Sequence, residues 1–179
     1  MVKTPSMNET GKYSIALVDD DRVFLVSLKN SLRQQFNSSL NISEYYTGEE
    51  FIQSIKNPPD IVILDYYLND YEHPEAMNGI NVLREIKSLS KDTIVIMLSG
   101  QDKVQAAMDC LRNGAYEYIS KSESAFVRIP NSIKNAMANI RSKNESSKYI
   151  KLSINKVTII AAILLIDLIG YCLFHYVLN

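Results

Sequence analysis

Short apolar runs alternate with amphipathic stretches through most of the chain. Five of the runs predict β-strands, at Tyr13–Val18, Ile42–Tyr46, Ile61–Leu64, Ile94–Leu98 and Tyr116–Ser120. The stretches between them carry apolar residues at helical spacing and predict helices over residues 22–36, 47–55, 78–89 and 103–112. A fifth helix is predicted after the last strand, with Pro130 in its first turn.

This alternation of strand and helix predicts the fold class. A helix between successive strands indicates βαβ crossovers, and therefore an α/β fold with a doubly wound, five-stranded parallel sheet covered on both faces. Runs that are apolar on both faces, such as Ile61–Leu64, are typical of strands buried between two layers of helices. The predicted apolar stripe of the first helix comprises Val23, Val26, Leu28, Leu32 and Phe36.

The C-terminal segment has a different pattern. Of the 22 residues from Val157 to Leu178, all but four are apolar, and as a helix they would extend about 33 Å, enough to cross a hydrocarbon core of roughly 30 Å. We therefore predict a single-pass transmembrane helix over residues 157–178 in the inner (cytoplasmic) membrane. A buried core helix of a soluble domain is the alternative. The bias of Lys and Arg before this segment predicts that the N-terminal domain lies on the cytoplasmic side.

Asp167 lies near the middle of the predicted membrane helix. A carboxyl group at that depth is costly unless it is protonated or paired. Two interpretations remain open. One is a helix–helix contact, with a second copy of the chain or with a membrane-protein partner. The other is a polar residue tolerated in an otherwise sufficient anchor.

Charge divides the chain in a similar way. Residues 1–127 hold 12 basic and 18 acidic residues, a net charge of −6, whereas residues 128–156 hold 7 basic residues and one acidic residue, a net charge of +6. A folded domain that is this acidic repels phosphate backbones, so we expect no nucleic-acid partner.

The patterns together predict four segments. They are a disordered N-terminus at residues 1–11, a folded domain at 12–141, a basic juxtamembrane linker at 142–156 and the membrane helix at 157–178. The linker is either a flexible tether or a continuation of the last helix. Because only the linker and the anchor follow residue 141, no DNA-binding output domain is expected.

Polar side chains close four of the five predicted strands. An acidic triplet, residues 19–21, follows the first strand, Asp65 the third, Ser99 the fourth and Lys121 the fifth. The carboxyl ends of parallel strands meet at one edge of a sheet, so these groups are expected to converge. Clustered carboxylates favour Mg²⁺, and a cation site and an anion site flanking one carboxylate suit phosphoryl transfer to that carboxylate.

Four segments in this order, ALVDDD, IVILD, IVIMLSG and GAYEYISK, resemble the motifs of the receiver (CheY-like) domain of two-component response regulators. The resemblance covers about residues 12–141. It implies a flavodoxin-like receiver fold and a phosphoacceptor signalling domain, with no enzymatic activity beyond its own phosphorylation and dephosphorylation. It also implies Mg²⁺ as cofactor and a sensor histidine kinase or phosphotransfer protein as partner.

The same resemblance assigns the metal site. Asp65 matches the phosphoacceptor, and Asp19 and Asp20 match the acidic pair that helps to hold Mg²⁺. Asp65 and the main-chain carbonyl of Tyr67 complete the implied set of protein ligands.

The remaining matches concern the phosphoryl group and the response to it. Ser99 and Lys121 match the hydroxyl and the ammonium that contact the phosphoryl group. Ser99 and Tyr118 match the switch pair, in which the aromatic rotamer follows the movement of the hydroxyl. A phosphoryl group adds charge and acceptor oxygens, and therefore draws Ser99 and Lys121 inward.

Three features depart from the family pattern. Leu68 and Asn69 stand where an apolar residue and a proline are usual, and the loop through DYEHPEAMNG is longer than usual. Ser122 replaces the usual proline after Lys121. The path of residues 66–78 and a cis peptide after Lys121 are therefore not predicted.

Tyr67 and Gln101 occupy positions, two residues beyond Asp65 and Ser99, that resemble those gating hydrolytic water. One hypothesis is that the bulk of Tyr67 shields an acyl phosphate and slows its hydrolysis. The other is that Tyr67 is an ordinary loop aromatic.

Two other functions compete with a phosphorylated switch. The first is a pseudo-receiver that serves as a protein-interaction scaffold at the membrane without phosphorylation. The second is an aspartate-nucleophile phosphatase, which typically needs a second carboxylate two positions after the nucleophile. Tyr67 occupies that position and argues against a phosphatase.

Overall fold

A computed structural model describes residues 12–68, 76–100 and 103–177. Within the last range, the side chains at residues 151, 153–156 and 162–177 are outside the description. Three parts of the chain that the sequence analysis considered also lie outside the described residues. They are residues 1–11, which were predicted to be disordered, most of the long loop after Leu68, and Gln101. The chain divides into two units, residues 1–139 and 140–179.

In the first unit, five parallel strands form one sheet in the order β2-β1-β3-β4-β5, with connecting helices between successive strands. The chain reverses its direction across the sheet after β2, so β1 and β3 are neighbours at the centre. This topology confirms the predicted doubly wound fold. The elements are β1 Tyr13–Val18, α1 Arg22–Phe36, β2 Leu40–Tyr45, α2 Gly48–Ser54, β3 Ile61–Asp65, α3 Gly79–Leu89, β4 Ile94–Ser99, α4 Val104–Arg112, β5 Glu117–Ser120 and α5 Ala125–Val177.

The three central strands are buried because both faces of the sheet are covered. All five residues of β3 are buried, as the continuous apolar run predicted. One core cluster contains Val62 and Leu64 of β3 together with Phe51 of α2 and Leu83 of α3. Side chains alternate across a strand, so Ile61 and Ile63 face the opposite layer.

The predicted stripe of α1 is wrong at two positions. Leu25, Leu28, Leu32 and Phe36 are the buried residues, whereas Val23 is 77% exposed and Val26 53% exposed. The first helical turn begins beside the acidic edge of the sheet, and there the helix places Val23 toward solvent.

The N-termini of the helices follow local signals. Asp21 caps α1, and its carboxylate accepts hydrogen bonds from the backbone N–H groups of Val23 and Phe24. Thr47 caps α2, and its hydroxyl accepts a hydrogen bond from the Glu50 N–H, while the Glu50 carboxylate accepts one from the N–H of Tyr46, the residue before the cap.

Pro130 was predicted in the first turn of the last helix, and this position is wrong. The helix begins at Ala125, so Pro130 is its sixth residue. The first turn is instead held by the carbonyl of Ser124, which accepts from the N–H groups of Val127 and Arg128. Pro130 therefore removes one helical hydrogen bond in the second turn.

The second unit consists of helical residues 140–177 of α5, so residues 142–156 continue the helix. In the part of the chain whose side chains are described, no helix is long and apolar enough to cross a membrane. Most of the segment predicted as the membrane helix, including Asp167, lies outside that description.

Candidate functional site

The carboxyl ends of the central strands meet at one edge of the sheet. The register places Val18 of β1 beside Leu64 of β3, so the acidic triplet and Asp65 continue from neighbouring positions. On the other side of β3, Ser99 pairs with Ser120, directly before Lys121. The topology thus brings the predicted groups to one edge.

Lys121 connects the two buried carboxylates. Its Nζ atom lies 2.8 Å from Oδ2 of Asp19 and 3.0 Å from Oδ2 of Asp65. Asp19 is 1% exposed and Asp65 3% exposed, so these ion pairs are shielded from water. The backbone also orients both acids, since the N–H of Asp21 donates to Oδ1 of Asp19 and the N–H of Tyr67 donates to the Asp65 carboxylate.

Three carboxylates converge where the sequence predicted a metal site. Asp19, Asp20 and Asp65 each offer an oxygen within 4.8 Å of the others. Oδ1 of Asp65 is buried and has no hydrogen-bond partner among the described groups. A buried, unpartnered carboxylate oxygen is costly unless a cation or a donor satisfies it. Asp20 is exposed, so the cluster opens to solvent on that side. This oxygen-only set fits a hard divalent cation such as Mg²⁺.

The pKa of each buried acid is raised, so each carboxyl group holds its proton more tightly than in water. Burial raises the pKa of Asp19 from 3.8 to about 6, the charge of Asp65 adds to this shift, and Lys121 opposes it. Burial likewise raises the pKa of Asp65, again against the opposing effect of Lys121. For Lys121, burial lowers the pKa, but attraction to Asp65 and Asp19 outweighs it, so the pKa is raised and the side chain stays cationic. The edge therefore favours further positive charge.

The predicted switch pair lies on adjacent strands. Ser99 is fully buried at the end of β4, and its carbonyl accepts a hydrogen bond from the N–H of Lys121. Tyr118 lies on β5 and packs, partly buried, against the core cluster. The Tyr67 ring makes an edge contact with the ring of Tyr66, with 4.8 Å between the centroids. No cis peptide occurs in the described residues, which include the bond between Lys121 and Ser122.

Two residues at this edge were missed by the sequence analysis. Gly79 packs directly against the backbone of Asp65, and the aromatic ring of Phe24 lies 5.2 Å from the Lys121 ammonium. The Asn-Gly pair at the start of the third helix was a weak signal for a close backbone approach. Phe24 carried no signal because its contact depends on tertiary packing.

Comparison with known proteins identifies the family. Residues 15–133 match the family model of the response regulator receiver domain. This chain therefore belongs to the response regulator receiver domain family, a family of signalling domains in two-component systems.

Two curated relatives share this domain. The transcriptional regulatory protein ZraR of Salmonella typhimurium is 28% identical over 73% of this chain. The protein-glutamate methylesterase/protein-glutamine glutaminase of Clostridium acetobutylicum is 31% identical over 64% of this chain. The matches span only 28% of the first relative and 32% of the second.

Solved structures share the fold. A CheY-like receiver domain from Methanospirillum hungatei JF-1 aligns with a TM-score of 0.63 and 24% identity, covering 74% of this chain and 98% of that one. The BeF3-activated receiver domain of DrrB from Thermotoga maritima aligns with a TM-score of 0.56 and 26% identity, covering 69% of this chain and 98% of that one.

Proposed function

We propose that this chain is a membrane-anchored response regulator receiver that is phosphorylated on Asp65 and signals through protein contacts. The phosphoryl donor is a histidine kinase or a phosphotransfer protein, as is general for receiver domains. The observation that carries the proposal is the position of the Lys121 ammonium between the buried carboxylates of Asp19 and Asp65.

That arrangement matches the demands of phosphoryl transfer. Oδ1 of Asp65 has no hydrogen-bond partner among the described groups and is the candidate nucleophilic oxygen. Lys121 holds a fixed positive charge beside it, where charge on the transferring group develops. Asp19, Asp20 and Asp65 would hold Mg²⁺, with the main-chain carbonyl of Tyr67 as a further ligand. When bound, the ion neutralises charge on the phosphoryl oxygens.

The output surface is proposed to be α4. This helix lies in the chain between Ser99 and Tyr118, the two residues of the predicted switch pair, so their movement is expected to reach the surface there. Its outward stripe is apolar, with Val104, Met108 and Leu111 at 77%, 42% and 51% exposure and a spacing of i, i+4 and i+7. An exposed apolar stripe of this kind suits a protein partner.

The membrane anchor is proposed from the sequence alone. The apolar stretch at residues 157–178 and the basic residues before it support a single-pass anchor in the inner membrane, with the receiver on the cytoplasmic side. Washing isolated membranes with alkaline carbonate tests it. The full chain is expected to stay in the membrane pellet and a variant truncated after residue 156 in the supernatant, whereas release of the full chain would contradict the anchor.

The alternative function is a pseudo-receiver scaffold that binds proteins at the membrane without phosphorylation. Incubation of the detergent-solubilised full chain with a small-molecule phosphoryl donor separates the two functions. We expect Mg²⁺-dependent incorporation into the wild type and none into Asp65→Asn. A wild type that stays unmodified while its Mg²⁺ site is saturated would favour the scaffold.

A further inference from the structure

The geometry points to Phe24 as a positioning residue that holds the Lys121 ammonium at the acidic edge through the face of its ring. This inference rests on the proposed phosphorylation of Asp65, because Lys121 is the group whose position it explains. The Lys121 Nζ atom lies 5.2 Å from the centroid of the Phe24 ring, within the distance at which an aromatic quadrupole attracts a cation.

The ring contact adds to the two ion pairs that the Lys121 ammonium makes. Asp19 and Asp65 bind the ammonium at 2.8 Å and 3.0 Å, and the lysine side chain is only 16% exposed. A partly dehydrated ammonium gains more from a ring than one in water. Lysine has four rotatable bonds, so without a third neighbour its head group retains alternative rotamers.

Phe24 is itself held through its backbone and through its ring. Its backbone N–H donates to the Asp21 carboxylate at 2.9 Å, which fixes the first turn of α1. Its ring packs on the ring of Phe126 in α5, with 5.5 Å between the centroids and a tilt of 56°. The aromatic pair therefore joins α1 and α5 beside the ammonium, and Phe24 presents a rigid surface to it.

Aromatic rescue tests this role, with phosphorylation of the detergent-solubilised full chain by a small-molecule donor as the readout. Phe24→Leu keeps an apolar side chain but loses the ring, and we expect the rate constant at saturating donor and Mg²⁺ to fall about three- to tenfold. Phe24→Tyr and Phe24→Trp keep a ring face and are expected to stay within about twofold of the wild type. Thermal unfolding of each variant confirms that it is folded, and Phe24→Met replaces Phe24→Leu if the latter is not.

Tyr46→Leu is the matched control, because Tyr46 stacks under Arg22 and not under Lys121. Its rate constant is expected to be unchanged. A folded Phe24→Leu variant that is phosphorylated at the wild-type rate would overturn the positioning role. Phe24→Tyr and Phe24→Trp variants whose rate constants fall as far as that of Phe24→Leu would also overturn it. Incorporation that persists in Asp65→Asn would instead overturn the proposed function, so the two failures are distinguishable.

Discussion

Gly79 lies so close to Asp65 that a side chain has no room: a Cβ atom at Gly79 would lie 2.1 Å from the main-chain carbonyl oxygen of Asp65. It would also lie 2.7 Å from the Cα atom of Tyr66. Both obstacles are backbone, so neither moves by a change of rotamer. The start of α3 is further fixed by a hydrogen bond from the Gly79 N–H to the Tyr66 carbonyl. The third helix therefore sets the position of the predicted phosphoacceptor.

Gly79→Ala is expected to destabilise the domain by about 1–3 kcal/mol, because the backbone at Asp65 or the start of α3 must shift. The loss is expected although alanine is the better helix former. Chemical denaturation measures it. Gly100→Ala is the control, since a Cβ there meets nothing within 4 Å. Equal stability of the two variants would show that the close contact does not constrain Asp65.

Replacing Lys121 is expected to have opposite effects on metal binding and phosphorylation. Lys121→Met removes a positive charge from Asp19 and Asp65, so Mg²⁺ is expected to bind about three- to tenfold more tightly. Phosphorylation is expected to fall at the same time, since the charge that faces the phosphoryl group is lost. Titration calorimetry and donor kinetics measure the two effects.

Lys29→Met is a suitable control for that experiment. Lys29 forms an ion pair with Glu44, which lies on β2. Lys29→Met changes the net charge of the protein by the same amount as Lys121→Met but does not affect a contact of the acidic cluster. If Lys29→Met and Lys121→Met change the Mg²⁺ affinity by the same factor, the local contact of Lys121 has no special role.

The raised pKa of Asp19 predicts a pH dependence of stability. The folded-state pKa of about 6 lies above the ordinary value of 3.8, so the folded protein binds this proton more tightly than the unfolded chain. The stabilisation that the folded protein gains from binding this proton is fully present below about pH 4 and is lost as the pH rises through about 6. Over this range the free energy of unfolding falls by up to about 1.4 kcal/mol per pH unit.

Asp19→Asn removes this ionisation. In Mg²⁺-free buffer, the wild type is therefore expected to lose stability relative to Asp19→Asn between about pH 4 and about pH 7. Added Mg²⁺ is expected to reduce this loss, because the ion stabilises the charged carboxylates. Denaturation midpoints across this range measure the difference. A difference that is independent of pH would contradict the assigned protonation.

Tyr67→Asn tests the hypothesis of a shielded acyl phosphate. The Tyr67 ring is braced by Tyr66, and a small polar side chain would admit water more readily. We expect the phosphorylated variant to decay about threefold or more faster than the wild type. Decay of the phosphoprotein after removal of donor measures it, with Tyr116→Asn as a control for the loss of an aromatic residue on the surface. Unchanged decay would leave Tyr67 as an ordinary loop aromatic.

Much of the fold was predictable because the signals are local. The observed limits of β1 and α1 agree to the residue with those predicted from the apolar pattern. Asp19, Asp65 and Lys121 lie at one edge of the sheet, as was expected from their positions directly after parallel strands. The site geometry followed from topology, since parallel strands share their carboxyl edge.

The remaining features depend on packing between distant segments. The orientation of α1 left Val23 and Val26 exposed, and hydropathy alone does not fix how a helix rotates against a sheet. Phe24 and Gly79 act through contacts with residues far away in the sequence, which no periodicity encodes.

The most direct test of the account is to locate the phosphoryl group chemically. The full chain would be phosphorylated with a small-molecule donor and Mg²⁺, the acyl phosphate reduced with borohydride, and the reduced residue mapped by tandem mass spectrometry. We expect the carboxylate of Asp65 alone to be modified and the omission of Mg²⁺ to prevent the modification. Modification of Asp19 or Asp20 instead, or the same yield without a divalent cation, would contradict it.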